Sequence, residues 1–299
     1  MDRLQAMTVF VTVADEAGFS AAARRLNMSP PSVTRAVSEI EARLGARLLH
    51  RTTRSLKLTQ AGQRYLADCR RILSEIEEAD RHAAGIHAAP QGLVIVTASV
   101  PFGRIVLAPI LFNLLDCYPD ISVSLQLHDR IVHLLDEGMD VAVRIAELPD
   151  SSLAAVRVGS VRRMLCASPE YLDEYSRPHS LSDLSKHKII NFENMAPGGE
   201  WMLHHDNNIR SFKPVSQLHV NKADVAIAAA VKGRGITRVF SYMIVSELAA
   251  GTLEAVLECY EPPPIPVHIV HKEAGQTSAR VRAVVDYCVE HLRKHPALN

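Results

Sequence analysis

The stretch Phe19-Ser20-Ala21-Ala22-Ala23-Arg24-Arg25-Leu26-Asn27-Met28-Ser29-Pro30-Pro31-Ser32-Val33-Thr34-Arg35-Ala36-Val37 decides how the first part of this chain folds. Ala21 to Leu26 reads as a short helix capped by Ser20, and Asn27 tolerates the left-handed conformation that a tight helix exit needs. After the turn Asn27-Met28-Ser29, Ser29 is placed to cap a further helix. Pro30 and Pro31 fit only its first turn, where a missing N–H costs little. Val33, Val37, Ile40 and Leu44 form its inward stripe, whereas Ser32, Thr34, Arg35 and Ser38 fall on outer faces. Short hydroxyls and one arginine near the start of such a helix suit contact with base edges in a major groove.

On the N-terminal side, Leu4, Met7, Phe10, Val11 and Ala14 recur at helical spacing, so a first helix is expected from about Asp2 to Ala17, ended by Gly18. On the other side, Arg47 to Leu58 sets two short apolar pieces around a basic, hydroxyl-rich tip, which reads as a hairpin wing. Arg51 and Arg54 suit a minor groove or a phosphate, with Thr52 and Thr53 as neutral donors. Any one of these arginines also reads as plain solvation of a surface. Helix, turn, proline-started helix and basic wing in series are a far more specific combination. The charge distribution agrees: the chain has no net charge, yet Gly18 to Thr59 carries Arg24, Arg25, Arg35, Arg43, Arg47, Arg51, Arg54 and Lys57 against only Glu39 and Glu41. A basic patch on a neutral chain points to a polyanionic partner for that segment.

From Gln60 to about Ala88 the chain is helix-forming, with no proline until Pro90. Leu66, Cys69, Leu73, Ile76 and Ala83 occupy a and d positions of a heptad that Asp80 interrupts. This pattern fits pairing with a second copy or packing on the helix's own domain.

Beyond Pro90-Gln91-Gly92, strand-like and helix-like segments alternate, as in an α/β domain. Strands are expected at Leu93 to Ser99, Ile121 to His128, Val141 to Ile145, Met164 to Ala167 and Lys188 to Phe192. Helices are expected at Phe102 to Cys117 with a kink at Pro109, at Ala223 to Lys232 closed by Gly233, and at Ser278 to Lys294. A hairpin is expected around Asp206-Asn207-Asn208. Ligands of open α/β sheets lie beyond the carboxyl ends of strands. Ser99 ends the first strand before Val100 and Pro101 open a helix, so it is either an anion contact or only an N-cap. His128 and Asp129 end the second strand. Arg144 faces either a ligand carboxylate or a protein one, and Trp201 either lines a cleft or is an ordinary core or surface residue. Asn221 precedes another helix start.

The stretch Phe19 to Val37, its continuation Ile40-Glu41-Ala42-Arg43-Leu44-Gly45-Ala46-Arg47-Leu48-Leu49-His50-Arg51-Thr52-Thr53-Arg54, and Leu58-Thr59-Gln60-Ala61-Gly62 resemble the winged helix-turn-helix of LysR-type transcriptional regulators. The resemblance implies that Ser32, Thr34 and Arg35 face bases and that Arg51, Thr52 and Arg54 serve the wing. Ser29, Pro30, Ser38 and Thr53 complete the expected DNA-binding set. It also implies a multidomain chain, with an all-α winged helix-turn-helix head at residues 1–59, a linker and dimerisation helix at 60–90, and a two-lobed α/β effector domain at 91–299 like periplasmic solute-binding proteins. Lobe I is expected at 91–161 and 266–299, and lobe II at 162–265, with Pro262-Pro263-Pro264 stiffening one crossover. The expected partners are double-stranded promoter DNA, a small anionic effector held between the lobes by Ser99, Val100, Pro101, His128, Asp129, Arg144, Trp201 and Asn221, and further copies of the chain in a dimer and tetramer. RNA polymerase would respond to altered DNA bending. Gly233-Arg234-Gly235-Ile236 matches the family's glycine turn, whereas Thr237-Arg238-Val239 departs from its usual apolar run ending in proline.

Other chemistries find no support. Composition, at 47% hydrophobic and 22% charged, is that of globular chains, and no apolar run reaches the ~20 residues that span a bilayer. Met1 to Gln5 lacks the layout of a secretory signal, so a cytoplasmic location is expected. Five scattered cysteines without a Cys-x-x-Cys pair read as small buried or semi-buried hydrophobes, not as a zinc site or disulfide framework. Only His291 and His295 have helical spacing, with no third ligand nearby, so no metal is expected. Gly233-Arg234-Gly235 lacks the rest of a nucleotide loop, and there is no Gly-x-Ser-x-Gly elbow. No enzyme activity and no cofactor are expected.

Overall fold

The structure is a computed structural model that describes residues 2–51, 56–83, 89–130, 132, 134, 137–149, 153–195, 199–206, 208–272 and 278–298. Contacts divide the chain into two compact units, residues 1–93 and 94–299.

The first unit runs α1 (Arg3–Asp15), α2 (Phe19–Arg25), α3 (Pro30–Leu44), β1 (Leu49–Arg51), β2 (Leu56–Leu58) and α4 (Gln60–Ala83). Its core is one apolar cluster built from Met7, Phe10, Val13, Ala22, Ala23, Val33, Ala36, Val37, Ile40, Leu48 and Leu49. Leu4 lies outside it, half-exposed, because the buried face of α1 passes through Ala6, Met7, Phe10 and Val13 instead. Helix α2 begins two residues earlier than expected: Gly18 is the N-cap, and Ser20 sits exposed inside the first turn without a side-chain capping bond. The exit from α2 is a Schellman turn. Asn27 adopts φ +51°, its N–H donates to the Arg24 carbonyl, and Met28 N–H donates to Ala23 at 2.9 Å.

Ser29 caps α3, accepting the Ser32 N–H at 3.3 Å, and Pro30 and Pro31 occupy the first turn. Leu44, expected on the inward stripe, is 41% exposed, because Gly45 with φ +65° ends the helix there and turns the chain toward the wing. Strands β1 and β2 pair antiparallel, Leu49 opposite Leu58. In α4, Leu66 and Cys69 are buried in the head cluster and Leu73 packs against it. These three heptad positions therefore serve the helix's own domain.

The second unit holds two five-stranded sheets. The first, in the order β4-β3-β5-β14-β6, comprises β3 (Gly92–Ala98), β4 (Ile121–Leu127), β5 (Val141–Ile145), β6 (Leu153–Val161) and β14 (Ile265–Lys272). The second, in the order β11-β8-β12-β7-β13, comprises β7 (Arg163–Ala167), β8 (Ile189–Phe192), β11 (Ser216–Val220), β12 (Ile236–Phe240) and β13 (Glu254–Val256). The chain crosses between sheets at Arg162, between β6 and β7, and returns through residues 257–264 before β14. Arg162 pairs with Glu261 at 3.2 Å, which ties the two crossings together. β9 (Trp201–His205) and β10 (Asn208–Phe212) form the expected hairpin, His205 opposite Asn208; Asn207 lies outside the described residues.

Between β3 and β4 the chain is helical from Val100 to Cys117. It comprises α5 (Val100–Phe102), a π-helical turn at Gly103–Leu107 and α6 (Ala108–Cys117). The irregularity falls just before Pro109, whose ring cannot sit against an ordinary i−4 carbonyl; the wider turn accommodates it. Among the described residues this is the one helix long and apolar enough, by length and composition alone, to cross a membrane. Its apolar character belongs to the core: Phe102, Val106, Leu107, Ile110, Leu111 and Leu114 are buried in the main cluster of the unit. The remaining helices are α7 (Pro169–Tyr175), α8 (Leu181–Leu184), α9 (Ala223–Val231), α10 (Val245–Ala249) and α11 (Ala279–Arg293). Of the cysteines, Cys69, Cys166 and Cys288 are buried, but Cys117 and Cys259 are exposed, contrary to the reading of all five as buried or semi-buried residues.

Candidate functional site

The head presents α3 as a helix anchored by one face. Val33, Ala36, Val37 and Ile40 are sealed in the core, so the residues between them must face outward. Ser29, Pro30, Arg35 and Ser38 are exposed, and Ser32 and Thr34 are half-exposed. The hydroxyls are partly used: Ser29 and Ser32 share a hydrogen bond of 2.7 Å, and Thr34 donates to the Pro30 carbonyl. The Arg35 side chain, 82% exposed, pairs with Glu39 one turn on at 3.0 Å. Such an exposed pair contributes little stability, so the guanidinium is readily exchanged onto a base edge. Arg51 ends β1 and so lies on the wing, although its side chain is outside the described set. Thr52, Thr53 and Arg54 also lie outside the described residues.

Sequence reasoning missed what holds helix and wing together. Glu41 of α3 accepts the Leu48 and Leu49 N–H groups at 2.8 and 3.2 Å. Thr59 accepts the Gly62 N–H at 2.9 Å while donating to the Arg47 carbonyl. A β-carbon at Gly62 would stand 2.0 Å from the Leu48 carbonyl oxygen. The Leu58-Thr59-Gln60-Ala61-Gly62 motif is therefore a capped, close-packed junction between wing and α4.

In the second unit a cavity of about 740 Å³ opens between the two sheets' domains. The start of the Val100–Cys117 helix, Asp129, one face of α9 and the segment around Tyr242 line it. Of the expected effector contacts, Val100, Pro101, Asp129 and Asn221 are in the lining. Four others are placed differently. Ser99 precedes the helix without a side-chain capping bond and is not among the lining residues, although its side chain lies close to the Tyr242 hydroxyl. The His128 main chain links β4 to β3 by donating to the Ala98 carbonyl at 3.0 Å. Arg144 donates to the Val132 carbonyl at 2.6 Å, tying β5 to the preceding loop, and is not among the residues lining the cavity. Trp201 is 0% exposed and packs on Phe212 in a core of the second lobe, because odd residues of β9 face inward.

Lys222 and Tyr242 are among the lining residues that escaped the sequence reading. Lys222 is the N-cap of α9 and pairs with Asp129 at 2.7 Å. That ion pair and the neighbouring carboxylate Asp224 raise its pKa, so it is charged at neutral pH. Tyr242 is 1% exposed, and among the described residues its buried hydroxyl makes no hydrogen bond of ordinary geometry, with the Ser99 side chain the nearby candidate partner. Burial above all pushes its pKa up, so it is a neutral donor. A lysine before a helix start was a visible signal for the first; nothing in the sequence marks the second.

A helix held by one face on one unit and an open cleft of mixed apolar and charged lining in the other are the features of a DNA-binding regulator with a ligand-binding body. Residues 4–63 match the model of the bacterial regulatory helix-turn-helix protein, lysR family, and residues 87–293 match the LysR substrate binding domain. The chain belongs to the LysR-type transcriptional regulators, a family of regulators and not of enzymes. It is 32% identical over 295 residues to the HTH-type transcriptional activator AaeR of Escherichia coli, covering 97% of this chain and 95% of that one. It is also 32% identical to the HTH-type transcriptional regulator DmlR of the same organism, covering 98% and 95%. The structure of CrgA, a LysR-type transcriptional regulator from Neisseria meningitidis, superposes with a TM-score of 0.62 at 30% identity, covering 96% and 98%.

Proposed function

We propose that the protein reads a specific promoter sequence through α3 and the wing, and that a small anionic effector bound between the two lobes changes promoter binding or DNA bending. The observation that carries the reading is the division of α3 into a sealed face and an outward face bearing Ser29, Pro30, Ser32, Thr34, Arg35 and Ser38. Ser32, Thr34 and Arg35 contact base edges, while Arg51, Thr52, Thr53 and Arg54 of the wing hold phosphate or enter the minor groove. Two copies pair through α4 so that two recognition helices meet successive grooves about one DNA turn apart, and the bodies join such pairs into a tetramer. The effector acts by binding one of two assembly shapes more tightly than the other, which alters access for RNA polymerase. Such a protein works in the cytoplasm, where the promoter is.

The direct test is a competition between duplex from the gene's own upstream region and random duplex at moderate ionic strength. Strong preference for the upstream duplex supports the reading; equal affinity for both removes it.

A further inference from the structure

We propose that Asp129 is a built-in stand-in for a ligand's carboxylate, holding the place in the cavity that an organic monocarboxylate with an apolar body takes over by displacing it. This deepens, and rests on, the sensing role proposed above.

Asp129 sits on the first lobe, after β4. Its Oδ1 accepts the N–H of Val100, at the start of the Val100–Cys117 helix, at 3.3 Å. Its Oδ2 accepts from Lys222 Nζ at 2.7 Å, and Lys222 belongs to the second lobe. A carboxylate thus already meets both features that favour an anion here, the positive end of a long helix and a lysine. It also links the lobes.

The same cavity contains a donor that Asp129 leaves unused. Among the described residues the buried Tyr242 hydroxyl makes no hydrogen bond of ordinary geometry, while the Ser99 side chain lies close enough to act on it as a hydrogen-bond partner. A buried hydroxyl with so poorly formed a hydrogen bond is costly, and a ligand oxygen would reduce that cost. The incoming carboxylate therefore gains one hydrogen bond that Asp129 does not make.

Charge dictates exchange instead of addition. Around the cavity Arg104, Lys222 and Lys232 are matched by Asp129, Asp224 and Glu247. A second carboxylate beside Asp129 would put two like charges on one lysine, which each disfavours in the other. The rest of the wall, including Ile105, Ile227 and Val231, is apolar, so the body of the ligand is apolar too.

The test is calorimetric titration of the full-length protein with cyclohexanecarboxylate and with its uncharged analogue cyclohexanecarboxamide. Asp129→Ala is expected to bind the carboxylate roughly tenfold tighter than wild type and the carboxamide unchanged. Asp129→Asn, which keeps an acceptor for Val100 and preserves the fold, is expected to be tighter by about threefold. Lys222→Met should lose the carboxylate preference. Equal or weaker carboxylate binding in both Asp129 variants overturns the proposal, as does a carboxamide that binds as well as the carboxylate, or no binding of either compound to any of the proteins. Failure of the regulator reading registers separately, as loss of preference for upstream duplex in protein that still shows this ligand pattern.

Discussion

Glu41 and Leu48 are joined by a hydrogen bond of 2.8 Å from the Leu48 N–H to the Glu41 carboxylate, and it fixes the wing to the recognition helix. Leu48 is buried, so removing the acceptor strands a donor away from water. Glu41→Ala should destabilise the head by about 1–3 kcal/mol, whereas Glu41→Gln, which keeps one oxygen, should cost less. Thermal unfolding of the purified protein checks this. Identical melting for the two variants would mean that the wing is held by its apolar contacts alone.

Gly62 packs against the main chain of the same residue, Leu48. Because a β-carbon there would lie 2.0 Å from main-chain oxygen rather than from a flexible side chain, α4 must back away from the wing to admit one. Gly62→Ala should cost about 1–3 kcal/mol despite alanine's better helix propensity. It should also weaken promoter binding by moving the wing. A variant as stable as wild type would contradict the packing described for this junction.

The local devices of the head were legible because each is written in neighbouring residues: Ser29 with Pro30 and Pro31, Asn27 at the helix exit, and the apolar pieces flanking the wing. Ser20 misled because a serine before a helical run is an ordinary cap, yet Phe19, which packs on the core, draws the helix start back to Gly18. Leu44 misled because periodicity continues past the point where the core ends. The cavity was only half legible. Val100, Pro101 and Asn221 lie at strand-to-helix junctions, which a sequence reveals, whereas the approach of Asp129 to Lys222 depends on how two lobes close, which it does not. Arg144 and Trp201 carried chemistry that suits a ligand, but one is used to hold a loop and the other to fill a core.

Arg35 separates base reading from general attraction to DNA. Among the described residues it pairs with the exposed Glu39 one turn on, so its loss should leave folding intact. Arg35→Ala should cost about 1–3 kcal/mol on the promoter site and relax preference at one base pair while leaving random-duplex affinity nearly unchanged. Binding to a set of single-base site variants measures this. If every variant site weakens equally, the guanidinium contacts phosphate and not a base.

The cysteines give a prediction that depends on pH. Burial raises the Cys69 thiol to about 11 and the Cys166 and Cys288 thiols to about 12, since a thiolate is poorly solvated in an apolar interior. Only the thiolate attacks an alkylating agent. At pH 8 the three buried groups should therefore resist iodoacetamide in the folded protein, and Cys117 and Cys259, which are exposed, should react. Raising the pH to about 9 should still leave the three buried thiols unlabelled, because that pH lies well below their raised values. Unfolding in guanidinium removes the burial and should bring all five into reaction. Peptide mapping by mass spectrometry identifies the labelled positions, and early labelling of Cys69 in folded protein would show that the α4 face bearing it is not packed into the head.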